Sequence, residues 1–340
     1  MLLAMACFSA PSPAAEAEPQ RAQPRVPAPR TTDPRPLWSF HAGAPLSGAP
    51  GVGPDGSFAV GTVDGYVHSL HPDGVFRFSY TVSGRVLSSP VVLDDGTVLA
   101  ASDKNRLYAI KPEGSLAWEM NVAGGVISPL AVDAQGRVWV RTGSGTAIAI
   151  SRRGGVVGFA KIGRSMTLGP TPLTGGGVVV ASPGELGLIG DFGQFRRLPV
   201  TPFLTGLRAM SSGFLALRQG SLTLFDAELG TAWSRDEVQA LLCTSPLVTL
   251  EAGAIRWLAP DGKLVAEARA PGAVAEPSAC TPSSLFAVDG AGNVIQIRRS
   301  GELLRLHVAS GTVLGLVPSR PGALVVAYQD GRLLSLKAVF

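Results

Sequence analysis

The residues in this chain that could do chemistry are few, and their spacing argues against most of it. The four histidines, His41, His68, His71 and His307, fall in short apolar runs or turns. His68 and His71 stand near the end of an extended run, where side chains alternate between faces, so the pair need not share one. No His-x-x-x-His or Cys-x-x-Cys pattern marks a metal site. A calcium ion would need about six to eight oxygens, several of them carboxylates. Yet Asp55, Asp64, Asp73, Asp95, Asp261, Asp289 and Asp330 all sit in turn phrases, where hairpin geometry accounts for them. Gly143-Ser144-Gly145 and Gly206-Leu207 are hairpin material. The one Gly-x-Gly-x-x-Gly-like stretch, between Gly184 and Gly193, opens no helix, so a dinucleotide site fails. The sequence therefore predicts no catalytic, cofactor-binding or metal-binding residue, and no bound cofactor.

Two cysteines carry more information. Cys243-Thr-Ser-Pro and Cys280-Thr-Pro-Ser are similar phrases set 37 residues apart. Placed at equivalent points of neighbouring units, their Cα atoms fall within the roughly 4.4–6.8 Å that a disulfide requires. The alternative is two small apolar residues buried separately. The third cysteine, Cys7, ends the run Ala4-Met5-Ala6-Cys7, which loosely resembles a lipoprotein cleavage box with Cys7 as the lipidated residue. Residues 1–7 thus read as a partial signal peptide or lipobox, short of a basic leader. Residues 8–36 are rich in Pro, Ala, Gln and Arg and read as a disordered tether.

The elements that must position these residues recur. Gly74, Gly114, Gly154 and Gly193 close turns at steps of 40, 40 and 39 residues, and Gly230, Gly262 and Gly301 continue the series. Aromatics follow: Phe78, Trp118, Phe159 and Trp233. Between the turns lie short apolar runs. Val86–Leu93, Thr97–Ser102 and Arg106–Ile110 are separated by Asp94-Asp95-Gly96 and Asp103-Lys-Asn105, and the unit ends toward Trp118. Asp-Gly suits the positive φ of a tight hairpin, so four short strands per period make a propeller blade. Eight pairs of central strands follow, from Ser57–Gly61 with Tyr66–Leu70 to Ala323–Val326 with Leu333–Leu336; units five and six are shortened. The eighth unit stops after its third strand, and Leu37-Trp-Ser-Phe40 precedes the first unit unpaired. The prediction is all-β: one propeller over residues 37–340, with eight four-stranded antiparallel blades, the last completed by the N-terminal strand. Seven blades is the alternative.

Composition agrees. Hydrophobic residues make up 46% and charged ones 16%, with aromatics at 6%, as suits sheets buried on both faces. Mean hydropathy is +0.27, but Gly and Pro break every stretch long enough to span a bilayer. The net charge of +4 is dispersed; Arg152-Arg153 and Arg298-Arg299 read as solvated turn residues rather than a nucleic-acid site.

Ser-Ser-Pro-Val-Val-Leu-Asp-Asp-Gly-Thr-Val (88–98), Arg-Leu-Tyr-Ala-Ile-Lys-Pro-Glu-Gly (106–114) and the trailing Trp118 resemble the PQQ-like, or quinoprotein-type, β-propeller repeat. The likeness is strongest in the first three units. That family includes calcium- and quinone-dependent dehydrogenases and also cofactor-free lipoprotein scaffolds of the BamB type, from outer-membrane assembly. The dehydrogenases' Thr-Gly-x-x-x-Trp phrase and adjacent cysteines are missing here. The resemblance therefore implies a non-catalytic scaffold that binds protein partners in the periplasm or at the outer membrane, and that touches membrane only through a lipid anchor. A PQQ-dependent dehydrogenase or small-ligand-binding propeller is the alternative.

Overall fold

The computed structural model describes residues 30–31, 36–127, 129–182, 184–191, 193–199, 204–218, 220–226, 229–307, 311–319 and 322–338. Every helix or strand named among them is a β-strand. In the second unit, Val91–Val92, Val98–Ser102, Arg106–Ile110 and Leu116–Asn121 form an antiparallel meander in chain order. The turn aspartates perform the hairpin duty read from their positions. Asp95 Oδ1 accepts the Thr97 N–H at 2.9 Å, and Asp55 and Asp289 do the same for Ser57 and Asn293. The middle strands are buried on both faces, as in Val98–Ser102, because each blade is sandwiched between two others. Apolar cores therefore lie between sheets: Leu99 and Ala101 meet Val138 and Val140, and Trp139 meets Val178 and Val180. Trp139 and Trp257 are wholly enclosed, each such side chain contributing roughly 1.5–3 kcal/mol over an exposed one.

A β-bulge sets the outermost strand of several units. Leu70 pairs with Phe76 but Ser69 with Phe78; likewise Ile110 with Leu116 but Ala109 with Trp118. One residue is squeezed out, and the ring after the bulge turns toward the next unit. There it lies on a glycine turn. A Cβ on Gly154 would come within 2.8 Å of Trp118 Cδ2, and the indole N–H donates to the Arg152 carbonyl at 2.7 Å. Trp233 repeats this on Gly262, donating to Pro260 O at 3.0 Å. Phe78 lies on Gly114.

Phe159 breaks the series that spacing predicts. It lies five residues after Gly154, one past the ring position, in a turn of ordinary length: the Ser151 N–H meets the Gly155 carbonyl as the Lys111 N–H meets that of Ser115. The docking position, opposite Ala149, falls to Gly158. Phe159 then points to the other face of its strand; only its backbone meets Gly193, and its side chain is 68% exposed. Arg152 is exposed at its turn, as its solvated reading has it, and there forks onto the exposed Asp94 of the preceding unit, one arm at 2.9 Å.

The fifth and sixth units are not separate sheets. They share the strand Thr231–Thr244, whose first part pairs with Gly220–Phe225 and whose second with Leu247–Glu251. This gives one seven-stranded sheet and seven hydrogen-bonded sheets in all among the described residues. The predicted tether also needs correcting at its end: Arg30–Thr31 pairs in parallel with Leu303–His307 as a fifth strand. The rest of 8–36, except Pro36 at its boundary, lies outside the described residues.

The ends of the chain meet. Trp38–His41 runs antiparallel to Arg332–Lys337, with Trp38 opposite Ser335, and completes a four-stranded sheet. Trp38 simultaneously docks across Gly74 of the first unit, where a Cβ would fall inside the indole, and packs 5.9 Å from the Phe58 ring. Gly74 has φ 83°, which costs other residues roughly 1–2 kcal/mol. Gly74→Ala adds overpacking of about 1–3 kcal/mol to that backbone cost. Gly292 has φ 83° too but nothing within 4 Å of its Cβ direction, so Gly292→Ala should carry the backbone cost alone. Denaturant midpoints of the two variants check this: equal losses would mean that the Trp38 seam adds nothing.

Candidate functional site

The first strand of each unit faces the axis. Val274–Thr281 touches both Thr231–Thr244 and Val313–Pro318, and between these inner strands opens a cavity of about 430 Å³. Its wall includes Arg208, Thr244, Ser245, Glu276, Ser278 and Gly315. A second hollow of about 260 Å³ shares Arg208, Leu241, Leu242 and Glu276. Arg208 reaches Glu276 at 3.5 Å, both side chains being more than half exposed. Such a wetted pair contributes little stability, but it leaves the channel wall polar and locally neutral. The cavity can admit a small polar molecule or a partner's side chain.

Cys243, one of the two cysteines singled out from sequence, lines the same wall. Cys243 and Cys280 are joined by a disulfide, Cα–Cα 6.2 Å, that ties the inner strands of the sixth and seventh units. Ser278 Oγ donates to the Leu242 carbonyl at 2.6 Å beside it. Cys7 lies outside the described residues. The histidines do not converge: His41 accepts the Gly43 N–H at 3.0 Å, while His68 is buried at the seam among Phe40, Tyr66 and Phe76. Burial lowers the His68 pKa, against the opposing pull of Asp64 and the Ala42 carbonyl. Among the described residues no group of three or more His, Cys, Asp or Glu is placed to hold a metal.

Sequence reasoning missed the buried ionic clamps between units. Asp133, buried, takes Arg137 Nε and Trp139 Nε1, each at 2.7 Å, while Arg137 reaches across to Asp191 at 2.6 Å. Glu251, 1% exposed, is held by Arg235 at 2.7 Å, by Thr249 Oγ1 at 2.6 Å and by Arg256. Arg235 belongs to the shared strand's first half, so this clamp locks the fifth unit to the sixth. Arg235, Glu251 and Arg256 are strand residues like many others, and Asp133, Arg137 and Asp191 lie in turns, where carboxylates and arginines are common. What a sequence could have shown is an Arg at a position otherwise facing the neighbour.

With this geometry established, comparisons place the chain among known proteins. A family model described as outer membrane protein assembly factor BamB matches residues 28–119 and 103–337. The computationally designed Ika8 protein superposes with TM-score 0.70 at 14% identity, covering 89% of this chain and 99% of its own. Sqt1 of Saccharomyces cerevisiae gives TM-score 0.67 at 13% identity, covering 91% and 100%. The C-terminal WD40 domain of Sif2 gives 0.70 at 9%, covering 91% and 99%. At these identities the likeness is one of fold: an all-β propeller of four-stranded antiparallel sheets. No curated protein sequence matches the chain.

The Glu251 clamp makes stability pH-dependent. Burial alone would raise its pKa, but the hydrogen bonds from Arg235, Thr249 and Arg256 outweigh it and hold the carboxyl below its ordinary 4.5. A depressed folded pKa stabilises above the unfolded value and is lost as pH falls through the folded one. Melting temperature should therefore fall as the pH drops from 4.5, and Glu251→Gln should flatten part of that fall. At neutral pH the same variant, leaving two guanidinium groups short of their anion, should lose about 3 kcal/mol. An unchanged acid slope in the variant would remove Glu251 from this account.

Proposed function

We propose, from the premise that this chain belongs to the family of outer membrane protein assembly factor BamB, that it is a non-catalytic, exported propeller that holds protein partners during outer-membrane protein assembly. The family match, which spans nearly all of the folded chain, carries this reading. A rigid scaffold with loops and edges displayed around it suits such work. In this reading Cys7 is lipidated and the segment before Trp38 tethers the ring to the outer membrane, in the periplasm. The Cys243–Cys280 bond favours an oxidising compartment, where disulfides persist.

We read the ring as eight blades. Apolar cores bridge each consecutive pair of units, including fifth with sixth, through Leu222, Leu224, Leu247 and Leu258. The last core joins Phe58 and Val60 to Val325 and Leu333. The shared strand changes partners around Glu237, a non-glycine residue at φ 62°, which is where one blade would end and the next begin. A crystal structure in which residues 204–269 form a single radial sheet would reduce the count to seven.

The channel cavity of about 430 Å³ favours one competing reading, a small-ligand-binding or PQQ-dependent propeller. Partner retention and quinone-dependent turnover separate them, and peptide mapping checks the disulfide. Intact protein isolated from envelope extract should retain a defined assembly partner through a salt wash, and non-reducing peptide mapping should recover Cys243 linked to Cys280. Adding PQQ and Ca²⁺ should give no dye-linked alcohol or sugar oxidation. Micromolar quinone binding with turnover, and no retained partner, would overturn the scaffold.

A further inference from the structure

The outer strand Val156–Lys161 ends its sheet, so one backbone edge of it is unpaired. Like the outer strands Phe76–Thr81 and Leu264–Arg269, it opens on exposed apolar residues, here Val156 and Val157, but it adds an exposed ring, Phe159, because Gly158 holds the position that faces the neighbouring unit. Within its own stretch of chain the charge is one-sided, the flanking carboxylates Asp94 and Glu185 being engaged by Arg152 and Arg197. From residue 134 to residue 184 the chain carries six Arg and Lys and no Asp or Glu. Three of these, Arg153, Lys161 and Arg164, flank or end the strand and make no ion pair among the described residues. Arg196, on the adjacent outer strand Phe195–Pro199, is exposed too, and Arg197 beside it donates to the Ile162 carbonyl at 2.9 Å.

We propose that this edge is a strand-addition site for an extended partner segment in which apolar residues alternate with Asp or Glu. The claim rests on the scaffold reading and specifies its docking surface. An uncovered hydrophobic edge invites aggregation, and proteins normally blunt it; a partner strand covers it while using the free N–H and C=O groups. The molecule already shows that an outer edge accepts a further strand, since Arg30–Thr31 pairs with Leu303–His307. The basic surround selects acidic side chains. An anionic membrane would satisfy the same charges, but unpaired backbone groups entering hydrocarbon cost several kcal/mol each, so the edge favours a peptide.

Fluorescence anisotropy on the full chain tests this with a labelled octapeptide alternating Glu with Val and Phe, beside its Lys-for-Glu counterpart. The acidic peptide should bind, the basic one should not, and hydrogen exchange at residues 156–161 should slow in the complex. Phe159→Asp alters an exposed position, so it should melt as the wild type does and bind about tenfold more weakly. The double variant Arg153→Glu, Lys161→Glu should reverse the preference between peptides. Equal binding of both peptides, undiminished binding by Phe159→Asp, or recruitment to phosphatidylglycerol vesicles that Phe159→Asp abolishes would each overturn the site. If Phe159→Asp keeps the envelope partner that wild type keeps, this surface alone is wrong. If wild type binds the acidic peptide yet keeps no envelope partner, the site stands and the assembly role falls.

Discussion

An aromatic ring can lie flat against a neighbouring backbone only where no Cβ stands in the way. This constraint organises the molecule. Trp118 on Gly154, Trp233 on Gly262, Phe78 on Gly114 and Trp38 on Gly74 are the same contact repeated; Trp38 makes it from a strand in unbroken register, and the other three need three things together. The outer strand must bulge so that the ring turns sideways. The next unit's turn must carry glycine in a left-handed conformation. The units must sit at the radial spacing that brings the two together. The Trp118 and Trp233 indole N–H groups also find the carbonyl two residues before the glycine. The glycines that punctuate the sequence are thus sockets as well as turns.

That double duty explains how much could be read in advance. The periodic glycines, the alternating apolar runs and the turn aspartates are local signals, and they located the strands, the hairpins and the strand that joins the two ends. Cys243 and Cys280 were legible because they occupy equivalent points of successive units. Phe159 was misread because a shift of one position along a strand moves a residue to the other face, and the position that faces the neighbour is taken by Gly158. The ionic clamps were invisible for a different reason. Asp133 meets Asp191 through Arg137, and Glu251 meets Arg235, across a boundary between units. Such partners are chosen by three-dimensional neighbourhood and leave no spacing rule behind. The merging of the fifth and sixth units in Thr231–Thr244 had no breaker residue to betray it either.

Packing and charge divide the labour of holding units together. Apolar cores fill the space between sheets, while buried carboxylates satisfied by guanidinium groups fix which unit may follow which. An uncompensated charge at such a boundary is costly, so the clamps penalise misplaced neighbours more than they add to the total stability. The channel follows the opposite rule: its Arg208–Glu276 pair is open to water and holds little in place. The wall there is kept in position by the disulfide and by main-chain pairing, so its polar lining is left to whatever enters.

The junction of Trp38–His41 with Arg332–Lys337 joins residues roughly 300 positions apart in the chain. A contact so distant in sequence carries a high loop-closure entropy and forms late. If synthesis or translocation delivers the N-terminal side first, Trp38–His41 emerges ahead of every repeat and must wait longest for its mate. Until the final repeat arrives, the Arg332–Lys337 position is missing and the first unit's Gly74 socket has no stable occupant. Ring closure therefore awaits Arg332–Lys337, and a copy lacking that strand presents two complementary open ends that can find each other on different molecules.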